Sequence, residues 1–352
     1  MSDVFEKLKL VYSRLQDEES RNLFNIRLKY AIDRKTEDFF DSVGKLYQDW
    51  HSRELTEKLI EYPASEIVVF GSGYVGRITK RLLNHWGYDR VAFCDIQHIG
   101  EIIDGAEVLS VEDAVREHSK ALFIIGSTRF KKEMRENLLA HGFPPIQILI
   151  PEHKYLMGTR GKQYFDLFEP VPDEVYVDAG VFDGQSVLSF CSWAQGQYKK
   201  IYGFEPLPEM CTAAEKILTD NDVKNVELVN CATWDKKEKL HFSIDDNNMA
   251  GSGVVDSAGC TIEVQGADID SVVAGDKVTF IKMDIEGSEL RALQGAKHTI
   301  LNCHPRLAIC IYHKPEDIAE IGSYILSLFP DYKLYIRHYA SNCWETVLYA
   351  IP

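Results

Sequence analysis

The segment that most constrains this chain is Phe280-Ile281-Lys282-Met283-Asp284-Ile285-Glu286-Gly287-Ser288-Glu289, an apolar run that breaks off into two carboxylates one residue apart and then a glycine. A short apolar run of this kind reads as a buried strand, so Asp284 and Glu286 mark its carboxyl end. In open α/β sheets that edge is where ligands sit, because the strand ends leave a crevice that loops can line. Acidic residues are also ordinary in the first turn of a helix, and one begins near Ser288. Taken alone, the segment leaves both readings standing.

The rest of the sequence narrows the class. Its 352 residues are enough for two domains of ordinary size, and 54 acidic against 39 basic residues give a net charge of −15. That balance works against a broad contact with a phosphate backbone, and so against nucleic acid as a partner. The longest apolar runs, such as Ala121–Ile125 and Ile146–Ile150, are strand-sized and far short of a membrane span. Met1–Lys7 has no apolar signal core. The expectation is a soluble, cytoplasmic protein with no membrane partner. Eight cysteines contain no CxxC pair and sit in apolar patterns, as buried free thiols do.

Four regions follow from the rhythm of the chain. Residues 1–62 carry apolar positions at helical spacing (Phe5, Leu8, Val11, Leu15; Leu23, Ile26, Ile32) and read as a helical arm, suited to packing or to forming a homo-oligomer. Residues 63–151 alternate strand and helix, with strands at Ile67–Phe70, Val91–Cys94, Ala121–Ile125 and Ile146–Ile150, as a small parallel-sheet domain would. Residues 152–173 hold two glycines and two prolines without a period and read as a linker. Residues 174–352 resume the alternation over five strands and end in Lys333–Arg337 and Glu345–Ala350, whose connection is too short for a crossover helix and demands an antiparallel hairpin. The predicted fold class is α/β.

Two glycine turns follow strands. Val175-Tyr176-Val177 leads into Asp178-Ala179-Gly180-Val181-Phe182-Asp183-Gly184-Gln185-Ser186, and the next strand ends in Gly203-Phe204-Glu205-Pro206. Glycines let the backbone approach a ligand, and a carboxylate at the second strand end is placed to accept from two ribose hydroxyls. In the smaller domain, Ile67–Phe70 runs into Gly71-Ser72-Gly73-Tyr74-Val75-Gly76, with Asp95 ending the following strand, a dinucleotide-type fingerprint at Gly71, Gly73, Gly76 and Asp95.

The larger region resembles the FkbM-type family of class I S-adenosylmethionine-dependent methyltransferases over roughly residues 174–350. The likeness rests on Asp178-Ala179-Gly180 with Asp183-Gly184 and Ser186, on Gly203-Phe204-Glu205-Pro206, and above all on Lys282–Glu289. It implies a class I methyltransferase Rossmann-like sheet, with S-adenosylmethionine held by Asp178, Gly180, Asp183, Gly184 and Glu205. It further implies that Asp284 and Glu286 face the methyl group and the acceptor, and that the acceptor is a hydroxylated small molecule or sugar undergoing O-methylation. One departure stands out, since the third strand ends Val229-Asn230-Cys231 without the acid that many such enzymes use for the adenine amine.

A hydroxyl acceptor needs a base or a metal to ease loss of its proton. His313, after the fifth strand, is the expected general base, with Asp284 and Glu286 orienting it or the acceptor. The same three residues are a plausible metal-ligand set. That route ranks below the metal-free one, and no metal is assigned. The polar segment Asp245–Gly253 is a candidate lid, and Phe182, Trp234 and Tyr312 are candidates for stacking on a ligand. The smaller domain's turn is a candidate site for a nucleotide or nucleotide-sugar. Two other functions stay open: an NAD-dependent oxidoreductase or epimerase built on that turn, although no Tyr-x-x-x-Lys pair follows it there, and a non-catalytic nucleotide-sensing module.

Overall fold

Strands rich in Val, Ile and Phe need cover on both faces, and the helices between them supply it. The computed structural model describes residues 2–47, 59, 66–127, 129–151, 161–243, 252–255, 261–340 and 342–352. Two units form: Met1–Phe39 with Gly161–Tyr339 and Cys343–Pro352, and Phe40–Arg160 with Ala340–Asn342. The chain opens with helices α1 (Ser2–Arg14), α2 (Glu18–Asp33) and α3 (Thr36–Leu46).

The smaller unit contains β1 (Ile67–Phe70), α4 (Tyr74–His85), β2 (Val91–Cys94), β3 (Ile102–Ile103), β4 (Ala106–Leu109), α5 (Val111–Glu117), β5 (Leu122–Ile125), α6 (Lys131–Ala140) and β6 (Ile148–Leu149), with sheet order β3-β4-β2-β1-β5-β6. All pairings are parallel except the β3–β4 hairpin, which the strand pattern does not foresee. Its signal is the Asp104-Gly105 pair, both at positive φ, as a tight hairpin turn requires. Asp104 also pairs with Arg77 and Arg81 of α4.

In the larger unit β7 (Glu174–Ala179), α7 (Gln185–Trp193), β8 (Tyr198–Phe204), α8 (Pro208–Asp220) and β9 (Val226–Val229) are followed by a side sheet of β10 (Ala232–Thr233), β11 (Glu238–Ser243), β12 (Gly253–Val254) and β13 (Thr261–Ala267). Then come α9 (Ile269–Val273), β14 (Phe280–Met283), α10 (Glu289–Gln294), α11 (Lys297–Cys303), β15 (Arg306–Cys310), α12 (Asp317–Leu328), β16 (Lys333–His338) and β17 (Thr346–Ile351). The main sheet runs β16-β17-β15-β14-β7-β8-β9, parallel from β15 to β9 and closed by the antiparallel hairpin expected from the short connection. Strands β7 and β14 lie at its centre, and every residue of both is buried. Tyr176 of β7 stacks on Phe190 of α7 at 4.1 Å between ring centres, and Phe280 closes the cluster.

One expectation about the chain's organisation changes. Residues 161–173 are not a bare linker, since Tyr164 and Phe165 are buried in the core of the larger unit. The first 39 residues belong to that same unit, with the helical arm packed on it. The reason is the exposed edge of β16, whose unpaired backbone groups need cover. The Gln16 amide donates to Leu334 O at 3.0 Å, and the Ile336 amide donates to Ser20 Oγ at 2.9 Å. Arg337 pairs with Asp17 at 2.6 Å. Val11 lies so close to Gly322 of α12 that a Cβ there would meet its methyl at 2.8 Å.

Leu15 is 2 % exposed beside this edge, so Leu15→Ala should destabilise the larger unit by about 2–4 kcal/mol in urea unfolding. Asp17 adds a pH signature. Burial alone would raise its pKa, but hydrogen bonds from Arg337 and Ser20 and the charge of Arg337 outweigh this and hold it below the ordinary carboxylate value. A depressed folded pKa gives stability that is present above the unfolded value and is lost as pH falls through the folded one. Asp17→Asn should therefore be less stable than the parent at pH 7, with the gap closing below about pH 4.

Candidate active site

The site grows from three neighbouring strand ends. Register pairs Lys282 of β14 with Asp178 of β7, and Met283 with Ala179 on one side and Ile309 of β15 on the other. Asp178 and Lys282 are thus brought side by side, while Asp284, Gly180 and the residues after Cys310 emerge at one edge. Lys282 Nζ is 3.0 Å from Asp178 Oδ1 and donates to Gly180 O at 2.8 Å, with both side chains almost wholly buried. Burial would lower the Lys282 pKa, yet the charges of Asp178 and Asp284 hold it above its ordinary value. Asp178, 0 % exposed, anchors this ammonium rather than lining open space, which modifies its expected role as a cofactor contact.

At the turn after β7, Gly180 has φ +90° and a Cβ there would stand 2.1 Å from Asp284 O, so only glycine lets these two strand ends meet. Gly184, at φ +93°, precedes α7, and Asp183 Oδ1 accepts from the Gln185 amide. Glu205, at the end of β8 and 5 % exposed, accepts from the Phe182 amide at 3.0 Å and the Leu207 amide at 2.9 Å, one on each carboxylate oxygen. Each oxygen keeps a lone pair for a ribose hydroxyl. Burial raises the Glu205 pKa against those two amide bonds. Asn230, where an adenine-binding acid was absent from the sequence, donates instead to the carbonyls of Glu205 and Pro206.

The acidic pair is surrounded more closely than the sequence suggests. Glu286 has φ 53° and is followed by Gly287 at φ 89°, a double left-handed turn that folds the segment back over the strand end. Asp284 receives the Tyr164 hydroxyl at 2.8 Å and the Tyr312 hydroxyl at 3.0 Å. Burial would raise its pKa, but Lys282, His313 and the two phenols keep it low and ionised. His313 Nε2 is 3.5 Å from both Asp284 Oδ1 and Glu286 Oε2, and Nδ1 is 2.9 Å from Oε1 of the buried Glu289, which also accepts from the Ile285 amide. Asp284 and Glu286 retain 22 % and 29 % side-chain exposure, so the edge is open to a small molecule. Asp284, Glu286 and His313 each offer one ligand atom, all within 4.8 Å of one another.

His313, the expected base, stands among three carboxylates. Burial alone would lower the His313 pKa, yet Glu289, Glu286 and Asp284 outweigh it and hold the ring well above its ordinary value. A protonated imidazole has no lone pair for a hydroxyl proton. His313 therefore balances carboxylate charge as the side chains stand.

Residues 178–340 match the methyltransferase FkbM domain. This region is an FkbM-type methyltransferase domain. S-adenosylmethionine is its cofactor, and the Gly180 turn with Glu205 fits that group, as Glu205 keeps acceptor capacity beside a glycine turn. The structure is similar to that of the methyltransferase FkbM from Methylobacillus flagellatus KT, at 21 % identity and a TM-score of 0.50, covering 90 % of this chain and 99 % of that one. This fold likeness reaches beyond the FkbM domain. Lower similarity extends to an rRNA methylase from Streptococcus thermophilus (16 % identity, 51 % of this chain and 85 % of that one, TM-score 0.33). A putative methyltransferase from Streptococcus mutans in complex with SAH is similar at 10 % identity (51 % and 90 %, TM-score 0.31). A search of curated proteins found no match.

Several residues around the FkbM domain's acidic pair escape sequence reading. Tyr164 lies in a stretch without periodicity, Glu289 reads as an ordinary first-turn acid, and Glu345 reads as the first residue of the last strand. Glu345 is pushed up to about 7 by burial and by the charge of Asp284. Tyr312 acts as a donor to Asp284 rather than as a stacking platform, and the Trp234 indole donates to Glu238. Asp245–Gly251 of the candidate lid lies outside the described residues. Gly253, at its far end, is so near Glu286 that a Cβ would stand 2.9 Å from that side chain's own Cβ.

In the smaller unit, Gly71 has φ +105° and a Cβ on Gly76 would stand 1.7 Å from Gly71 O, so that glycine serves close packing of helix on strand. Gly73 precedes α4 with open space around it. Asp95 accepts from the Ser72 amide and hydroxyl and from the Ile96 and Gln97 amides. Four donors fill a carboxylate's capacity. Asp95 thus holds its own turn. Among the described residues no helix is long and apolar enough to cross a membrane.

Removing Lys282 would leave Asp178 buried and unpaired. Lys282→Met should cost about 3–5 kcal/mol of stability, and Asp178→Asn added to it should recover part of the loss in the same unfolding measurement.

Proposed function

We propose that this protein transfers the methyl group of S-adenosylmethionine to a hydroxyl oxygen of a sugar or another polar small molecule. The observation that carries this reading is the pair of partly exposed carboxylates, Asp284 and Glu286, on the sheet edge that also bears the Gly180 turn. Ionised carboxylates accept hydrogen bonds from hydroxyls, and two of them converging on one point favour an acceptor rich in such donors.

Methyl transfer is an in-line displacement. A carbon–oxygen bond forms as the carbon–sulfur bond breaks, sulfur leaves as a thioether, and the hydroxyl proton is given up to solvent at the open edge. The protein's task is alignment in a partly dry pocket. Asp284, fixed by Tyr164 and Tyr312, orients the acceptor. Glu286, the more exposed of the pair, takes a second hydroxyl.

The test is transfer of radiolabelled methyl to a panel of sugars, polyols and matched amines. Asp284→Asn should lower kcat about 100-fold while S-adenosylmethionine affinity stays within a few-fold. Glu205→Gln should weaken that affinity by about tenfold or more, as hydrogen bonds to a charged acceptor are lost. Methylation of amines alone would overturn the hydroxyl assignment, and loss of cofactor binding in a folded Asp284→Asn protein would overturn the role given to Asp284.

A further inference from the structure

Glu286, Asp284 and His313 come from two adjacent parallel strands, β14 and β15, whose register places their carboxyl ends together. Their spacing is unusual for a hydrogen-bonded cluster. His313 Nε2 stands 3.5 Å from one oxygen of each carboxylate, too long for a hydrogen bond to either. It has no hydrogen-bond partner although the side chain is only 7 % exposed. A buried ring nitrogen aimed between two carboxylates, with a hydrogen bond to neither, leaves room for a cation to take the place of its proton.

Ligand atoms about 2.1 Å from a common ion, at angles of roughly 90–110°, stand about 3–3.5 Å apart. The two separations from His313, 3.5 Å each, match that spacing, and all three ligand atoms lie within 4.8 Å of one another. The other ring nitrogen supports the same reading, because Nδ1 lies at an ion-pair distance of 2.9 Å from Glu289 Oε1, without hydrogen-bond geometry. A carboxylate beside Nδ1 favours the proton on that nitrogen and leaves Nε2 facing Asp284 and Glu286, the placement that carboxylate–histidine–metal arrangements use. Glu289 is itself held by the Ile285 amide at 3.0 Å and is 0 % exposed, so its position is set by the fold. Tyr164 and Tyr312 fix Asp284 in the same way.

We infer that Asp284, Glu286 and His313 bind a divalent cation, with Glu289 as the positioning residue behind His313. Two carboxylates and one imidazole form an oxygen-rich set, which selects a cation of the Mg2+ or Mn2+ kind. Three protein ligands on an edge where the carboxylates remain partly exposed leave open positions for water or for a substrate oxygen. Resting on the hydroxyl-methylation reading, the site would take the acceptor hydroxyl as a ligand and make its proton easier to lose to solvent before the oxygen attacks the methyl carbon. That supplies the activation which His313, hemmed in by carboxylates, does not provide as a free base.

The experiment uses the full chain, freed of metal with a chelator, and titrates it with Mn2+ while free Mn2+ is read by electron paramagnetic resonance. One Mn2+ should bind per chain at micromolar concentration. Glu286→Gln and His313→Ala should each weaken it at least tenfold, and Glu289→Gln about 10–100-fold. Calorimetry with S-adenosylmethionine shows that each variant keeps its fold. Absence of Mn2+ binding in a parent protein that binds S-adenosylmethionine would overturn the inference, as would binding that none of the three substitutions weakens. Hydroxyl methylation undiminished in excess chelator would overturn the activating role and leave the methyltransferase reading intact. Site-specific Mn2+ binding without transfer to any hydroxyl acceptor would confirm the cation site while removing the hydroxyl assignment.

Discussion

A buried ammonium ties this active edge together. Lys282 lies at the centre of the main sheet, where an unpaired charge would cost several kcal/mol, and its contacts to Asp178 and Gly180 O join β14 to the first glycine turn. Because Gly180 itself touches Asp284 O, the cofactor turn and the acidic pair are parts of one rigid assembly. The charge of Lys282 also helps keep Asp284 ionised despite burial. Shifting one strand by a residue would separate the pair and turn every side chain of β14 to the opposite face of the sheet.

Beyond Lys282 the edge is crowded with acid. Asp284, Glu286 and Glu289 surround His313, and Glu345 and Asp317 stand near enough for burial and neighbouring charge to push each up to about 7. Two phenols, Tyr164 and Tyr312, keep their protons because burial and nearby carboxylates oppose ionisation, so they remain donors to Asp284. Such a concentration of like charge is costly to assemble for stability alone. It is compatible with a site whose working partner is positively charged, whether the sulfonium of the cofactor or a cation.

Much of this framework is legible in the sequence because it depends on local pattern. The central strands read as apolar runs, the closing hairpin follows from a connection too short to cross over, and the turn at Gly180 and the acid at Glu205 have the spacing of a strand–turn–helix unit. Other parts are not. Tyr164 reaches Asp284 across 120 residues of sequence, and nothing in the stretch around it marks the contact. The docking of α1 and α2 depends on an open edge at β16, which exists only once the strand order is settled. In the smaller unit the fingerprint is legible, but the use of Asp95 to bind its own turn is decided by four donors that only the folded loop brings together.

The sequence by itself determined which segments are strands, where the glycines had to lie, and that two carboxylates stand at a strand end, since these follow from side-chain periodicity and from the backbone freedom of glycine. Tertiary structure decided what those carboxylates can do. Parallel register set Lys282 against Asp178, the adjacency of β14 and β15 drew His313 to the acidic pair, and the first turn of α10 put Glu289 behind it. Charge and desolvation act through distance in space, and His313 stands enclosed by carboxylates because three of them, all within Asp284–Glu289, converge on a ring from a distant segment.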